Sequence, residues 1–179
     1  MRSKTSEFDV VAELAALTRY AQALTRDPLA AEELVQDTLV RAYDRRLTFD
    51  PRRSLRAWLF SILHNTFVSS HRRRRAEARR EQMAAELASP VVDPVQEQAA
   101  ELQRIRAGFQ TLPLEHRAVL HLVAVEGLSY VEAAQALAIP VGTVMSRLSR
   151  GRAALRAVLE GNAAPGRPHL HIVGGNHDR

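Results

Sequence analysis

The chain has 179 residues, enough for one domain or two small ones. Its 25 Lys and Arg outnumber its 20 Asp and Glu, which gives a net charge of +5 and an isoelectric point near 10.6, so a polyanionic partner fits the charge. The sequence contains no cysteine, which excludes disulfides and thiolate metal sites and fits a cytoplasmic location. We expect no membrane span or secretion signal, because no apolar run approaches roughly 20 residues and the N-terminal residues lack a hydrophobic core.

Apolar residues recur at helical spacing along nearly the whole chain, which predicts an all-α fold. The first helix carries the apolar stripe Phe8, Val11, Leu14, Leu17, Ala21 and Leu24. Asp27 followed by Pro28 is a cap with proline at the first helical position, so a second helix is predicted from Pro28 to Asp44. Its inward residues are Leu34, Thr38, Leu39 and Ala42.

The second helix has an acidic face. Glu33 and Asp37 are i,i+4 neighbours, with Gln36 and Arg41 near the edges of the same face. Like charges at this spacing repel slightly, a cost that is easier to understand if a basic partner docks there. The alternative is an ordinary solvated acidic face, and the residues alone favour that alternative.

A third helix follows the polar loop 45–53, and Ser54 can cap it. Its apolar residues are Leu55, Trp58, Leu59, Ile62, Leu63 and Phe67. Six arginines lie between Arg72 and Arg80, opposed only by Glu77, and such a cluster favours nucleic-acid contact over a merely soluble helix end.

Aromatic residues surround this loop and helix, namely Phe49, Trp58, Phe60 and Phe67. Aromatics beside a basic groove can stack on unpaired bases, whereas the alternative role is core packing. Trp58 lies on the apolar stripe and is predicted in the core. Phe49 lies in a polar loop and is the better candidate for base contact.

The composition then changes at residues 88–95, where two prolines predict a linker between a first domain over 8–87 and a second domain over 96–160. In the second domain, Asp93-Pro94 predicts the start of a helix that ends near Gly108. Pro113 starts another that ends at Glu126 and Gly127, and Gly127 suits a left-handed position. Residues 161–179 are predicted to form a flexible tail, in which His169, His171 and His177 are expected to bind no metal.

Residues 129–156 predict two helices joined by a tight turn. Ser129 and Glu132 form a capping box, and Pro140 breaks the first helix after Ala138. The second helix has no acidic residue between Val141 and Leu155. This pattern favours a helix-turn-helix whose second helix reads a DNA major groove, and the alternative is a helical hairpin with a solvated basic face.

No catalytic constellation can be placed on the predicted helices, and no phosphate-cradling glycine loop is present. We therefore expect neither an enzyme nor a cofactor.

Taken together, residues 8–158 resemble the extracytoplasmic-function (ECF) sigma factors, two-domain initiation factors of the sigma-70 type. DPLAAEELVQDTLVRAY is similar to the family's polymerase-binding helix, and LRAWLFSILHNTFVSSHRRR to its promoter-melting helix. LPLEHRAVLHLVAVEGLSYVEAAQALAIPVGTVMSRLSRGRAAL is similar to its DNA-binding second domain.

The resemblance implies a sigma factor that binds core RNA polymerase through the β′ clamp helices and the β flap. The polymerase-binding residues would be Asp27, Glu33, Gln36 and Asp37. A flipped base of the −10 element would lie between Phe49 and Asn65, and nearby phosphates would contact Arg72, Arg73 and Arg74. The −35 element would be read by Thr143, Ser146, Arg147 and Arg150. An anti-sigma factor that clasps both domains would hold the protein inactive.

Two departures from the family bear on DNA reading. Ala138 stands where many members have glycine. If that position needs a positive φ, alanine costs about 1 kcal/mol, and we expect instead that the turn adjusts. Met145 stands where many members have Lys or Arg, which implies one lost phosphate or base contact. The competing hypothesis is a transcription regulator that uses the helix-turn-helix alone, with an unrelated helical partner domain; a small DNA-processing enzyme has almost no support.

Overall fold

The computed structural model describes residues 8–81 and 97–161, which are helical with no strand among them, as the spacing of apolar residues predicts. The helices are α1 Val10–Thr25, α2 Pro28–Asp44, α3 Leu55–Glu81, α4 Glu97–Thr111, α5 Leu114–Leu120, α6 Tyr130–Leu137 and α7 Val141–Gly161. A 3₁₀ turn at Arg46–Thr48 precedes α3, and a π-helical turn at His121–Val125 extends α5. The predicted linker 88–95, Asp93-Pro94 and the tail histidines lie outside the described residues.

The first domain is a packing of α1, α2 and α3. Leu17, Ala21 and Leu24 of the predicted stripe are buried, but Val11 is 75% exposed. The prediction is wrong at Val11 because Ala16 and Tyr20 are also buried, and they shift the buried arc of α1 away from it. Tyr20 packs edge-on against Phe60 of α3, with ring centroids 5.3 Å apart.

Local caps define the ends of α2 and α3. The Asp27 carboxylate accepts a hydrogen bond from the Ala30 backbone N–H at 2.9 Å, and Pro28 occupies the first turn. Helix α2 has the predicted bounds because both signals are local to its first turn. The Ser54 hydroxyl accepts from the Ala57 backbone N–H at 3.2 Å and caps α3 as predicted.

In the second domain, α5 and α7 approach closely at Gly151, which is buried. A Cβ there would lie 2.8 Å from Leu120 Cδ1 and 3.3 Å from His116 Cβ, so only glycine fits without movement. Helix α4 does not end near Gly108 but continues to Thr111. The reason is that Gly108 lies inside the helix against Val158 of α7, where its missing side chain permits contact.

The helix-turn-helix is formed by α6 and α7. The Ser129–Glu132 capping box is confirmed, since each side chain bonds the other residue's backbone N–H. Gly127 has φ +72°, as its predicted left-handed position requires. Ala138 has φ 52° and ψ 45°, so the expected adjustment of the turn is wrong. The alanine adopts the left-handed conformation because its N–H bonds to the carbonyls of Ala134 and Gln135 and ends α6 there.

The two domains pack against each other. Helix α3 contacts α6, and α1 contacts α5 and the π-helical turn. Arg117 on α5 is buried, and it donates to the carbonyl of Leu24 in the last turn of α1 at 3.2 Å. Burial lowers the pKa of Arg117 to about 10, with a smaller contribution from the nearby Arg26, so this guanidinium is charged at neutral pH.

Within the described ranges, 8–81 and 97–161, no helix is long and apolar enough to span a membrane.

Candidate functional site

The outer side of α2 carries the predicted acidic surface. Glu33, Gln36 and Asp37 are all exposed and lie on one face, because positions i, i+3 and i+4 of a helix are neighbours. Asp27 is exposed too, but one of its carboxylate oxygens is used in capping α2. The structure thus brings three of the four predicted residues onto one face and gives the fourth a structural role as well.

Three exposed apolar side chains share that face, and the sequence analysis missed them. Leu29 is 67% exposed and Val40 and Tyr43 are each 62% exposed. At about 100° per residue they fall on the side opposite the buried Leu34 and Thr38. Large apolar side chains off the core stripe were the signal available in the sequence. A surface that mixes apolar and acidic groups is suited to a protein partner with basic residues.

The predicted base-stacking residue Phe49 belongs to an aromatic cluster of three residues. Its ring lies 5.2 Å from Trp58 and 5.9 Å from Phe8, measured between centroids. Phe49 and Trp58 are half-buried, whereas Phe60 is fully buried in the core. Trp58 was predicted in the core, and the structure instead places it at the core's edge. Phe49 therefore has one packed side and one side open to solvent.

Asn65 lies on the same side of α3 as Trp58, seven residues along. The two positions are about 10 Å apart along the helix axis, so Asn65 and Phe49 are not brought into contact. Asn65 is exposed, as are Arg72 and Arg73 further along α3. Arg74 lies on the same helix, and its side chain is outside the described part of the molecule.

Helix α7 presents two different exposed sides. Val144, Leu148 and Gly151 form its buried side. At about 100° per residue, the four residues predicted to read DNA fall on one arc next to it: Thr143, Ser146, Arg147 and Arg150. Ser146 and Arg150 are exposed, whereas Thr143 and Arg147 are half-buried.

Met145 lies on the opposite exposed side of α7. It is 53% exposed, and at about 100° per residue it shares its side with Ser149 and Arg152. The predicted loss of a contact at this position therefore does not fall among the four residues of the predicted reading arc.

The half-burial of Arg147 brings it towards α3. Burial lowers the pKa of His64 on α3 to about 4, and the positive charge of Arg147 adds to the effect. His64 Nδ1 lies 3.0 Å from the hydroxyl of Tyr20. The side of α7 that carries the predicted DNA-reading residues thus borders on the helix that carries Asn65.

Among the described residues, no group of three or more His, Cys, Asp or Glu side chains is arranged to hold a metal ion.

Two family models match the chain, one in each domain. The Sigma-70 region 2 model matches residues 10–77, and the Sigma-70, region 4 model matches residues 102–155. The chain is 36% identical over 173 residues to the ECF RNA polymerase sigma factor EcfG of Rhodopseudomonas palustris, and the match covers 94% of each protein.

Two solved structures are similar over both domains. The sigma factor RpoE in complex with the anti-sigma factor NepR, from Bartonella quintana, has a TM-score of 0.75 and 32% identity over 86% of this chain and 96% of that one. CnrH in complex with the cytosolic domain of CnrY has a TM-score of 0.63 and 31% identity over 86% of each chain.

Proposed function

Because this chain belongs to the ECF sigma factors of the sigma-70 family, we propose that it binds core RNA polymerase through α2 and directs promoter recognition through α3 and α7. The observation that carries the proposal is one chain with a partner-binding face in the first domain and a basic recognition helix in the second. The competing hypothesis of an unrelated partner domain is wrong, since the two halves match regions 2 and 4 of the same family. This assigns a transcription-initiation role rather than catalysis.

The polymerase-binding face of α2 consists of Glu33, Gln36 and Asp37 together with the exposed Leu29, Val40 and Tyr43. Carboxylates on a partly apolar surface favour a partner that offers Lys or Arg beside apolar side chains. The β′ clamp helices implied by the family resemblance would be that partner, and the β flap would receive the second domain.

Asp37→Arg tests this face. We expect the variant to lose holoenzyme formation with purified core polymerase in a pull-down, because like charges would then meet across the interface. Asp44→Arg makes the same charge change at the end of α2 and should keep most of the binding. Normal binding by Asp37→Arg, with helical content unchanged by circular dichroism, would contradict the docking assignment.

In the proposed mechanism, the second domain anchors the −35 duplex and the first opens the −10 element. The open side of Phe49 supplies a stacking surface for an unpaired base, and Asn65 supplies hydrogen-bonding groups two helical turns away. The two residues would contact different parts of the separated strand, since they do not meet. Arg72, Arg73 and Arg74 would hold phosphates alongside, and melting would be driven by base capture.

Arg150→Ala tests the reading arc of α7. Arg150 is exposed and can pair with guanine in a bidentate fashion, so its loss should weaken −35-dependent transcription by about 1–3 kcal/mol. Arg152→Ala, on the other exposed side of α7, is the control and should cost less. If Arg150→Ala loses the same activity on every upstream sequence, the residue contacts only phosphate.

Regulation by an anti-sigma factor fits the same architecture. Two similar structures are of sigma factors bound to anti-sigma factors, NepR and the cytosolic domain of CnrY. By this likeness an anti-sigma factor would bind both domains of the present chain in the cytoplasm, where core polymerase is present.

A further inference from the structure

The polar contacts between the two domains converge on one buried carboxylate, that of Glu126. We propose that its pairing with Arg19 is a latch that holds the domains in a closed form, and that the latch must open before both halves of a promoter can be engaged. The proposal rests on the proposed function for its consequence, but the latch itself is a property of the chain alone.

The carboxylate of Glu126 is bound from the other domain on both oxygens. Arg19 Nε donates to Oε1 at 2.9 Å, and Arg19 Nη2 donates to Oε2 at 2.8 Å. Arg56 of α3 donates to the backbone carbonyl of Glu126 at 3.2 Å and is paired with Glu13 at 2.7 Å. A bidentate arginine–carboxylate pair is among the stronger and more directional polar contacts in proteins.

The exposure of the two partners makes the latch reversible. The Glu126 side chain is fully buried in the closed form, whereas that of Arg19 is 50% exposed. If the domains separate, water can solvate the carboxylate, and His121 of its own domain remains 3.2 Å from Oε1. The Arg19 pair therefore favours the closed form, while the contact with His121 does not depend on the other domain.

The closed form cannot bind a complete promoter. Arg147 of the recognition helix acts on the charge of His64, which precedes Asn65 on α3, so the two DNA-reading regions are neighbours. Elements centred at −10 and −35 are about 25 base pairs apart by definition, or roughly 85 Å of B-DNA. Because α7 itself is only about 30 Å long, no small adjustment reconciles these separations, and the interface must open.

The opening can be measured in the full chain by energy transfer between two dyes. The sequence has no cysteine, so Glu32→Cys on α2 and Ala157→Cys on α7, both exposed, place one dye on each domain. We expect one dominant compact population in the wild type. Arg19→Glu should raise the ratio of open to closed molecules by roughly tenfold or more, as expected for the loss of a charged hydrogen-bonded pair.

Arg41→Glu is the matched control, since it makes the same charge change at an exposed position of α2, which packs against α1 and α3. It should leave the distribution unchanged. A second latch variant, Glu126→Gln, should shift the ratio in the same direction as Arg19→Glu. Equal distributions in Arg19→Glu and Arg41→Glu, or a wild type that is already open, would overturn the latch.

Affinity for a random-sequence DNA duplex of about two helical turns gives an independent test. Removing a positive charge normally weakens DNA binding, and Arg41→Glu should do so. Arg19→Glu should instead bind the duplex more tightly than the wild type, because the recognition side of α7 is uncovered. Weakening equal to that of Arg41→Glu would overturn the occlusion. If the wild type fails to support transcription with core polymerase, the proposed function fails while the dye measurements still decide the latch.

Discussion

Single residues in this chain carry backbone strain that the sequence only partly indicates. Ala138 and Arg26 both adopt left-handed conformations at helix ends, with φ of 52° and 63°. Ala138 could be identified from the family resemblance, since many relatives have glycine there. Arg26 could not, because the capping signals Asp27 and Pro28 that follow it describe the next helix and not the end of α1.

Ala138→Gly should stabilise the protein by about 0.5–1 kcal/mol. Glycine relieves the left-handed strain, and the greater freedom of the unfolded chain offsets part of the gain. Urea unfolding followed by circular dichroism measures the change. Ala153→Gly, at an exposed position inside α7, is the control and should cost about 1 kcal/mol. Destabilisation by both variants alike would show that the turn at 138 is not strained.

At the scale of helices, α7 depends on glycine for its contact with α5. Gly151 lies where any side chain would meet Leu120 and His116, whereas Gly142 in the first turn of α7 has open space around its Cα. The sequence offers no way to tell these two glycines apart, because both lie in the same helical pattern. Only the packing of α5 against α7 distinguishes them.

Gly151→Ala should therefore lower the free energy of unfolding by about 1 kcal/mol, although alanine is the better helix former, because overpacking outweighs the gain in propensity. Gly142→Ala should raise it by about 0.5 kcal/mol. Thermal unfolding of the two variants beside the wild type checks the opposite signs. Stabilisation by Gly151→Ala would mean that α5 and α7 are not in close contact.

For the whole molecule, stability should depend on pH through histidines at the domain boundary. Burial lowers the pKa of His64 to about 4, assisted by Arg147, and burial also lowers the pKa of His121 against the opposing effect of Glu126. The unfolded chain then binds more protons than the folded chain below the ordinary histidine pKa of about 6.5. Stability is thus complete above that pH and is lost as the pH falls towards 4.

Between pH 7.5 and pH 5, the His64 contribution should cost about 1–2 kcal/mol of unfolding free energy. His64→Gln should reduce the slope of stability against pH over this range, while carboxylates contribute equally to both proteins. Urea titrations at several pH values give the comparison. Identical slopes for His64→Gln and the wild type would show that His64 is not buried as a neutral imidazole.

The sequence by itself determined what depends on neighbouring residues. The bounds of α2, the cap of α3, the Ser129–Glu132 box and the left-handed Gly127 all follow from contacts within a few positions, so their signals are legible without a fold. Tertiary structure alone decided which faces are covered. The burial of Glu126 depends on Arg19, 107 positions away, and the half-burial of Arg147 depends on α3, because burial is set by which helices meet.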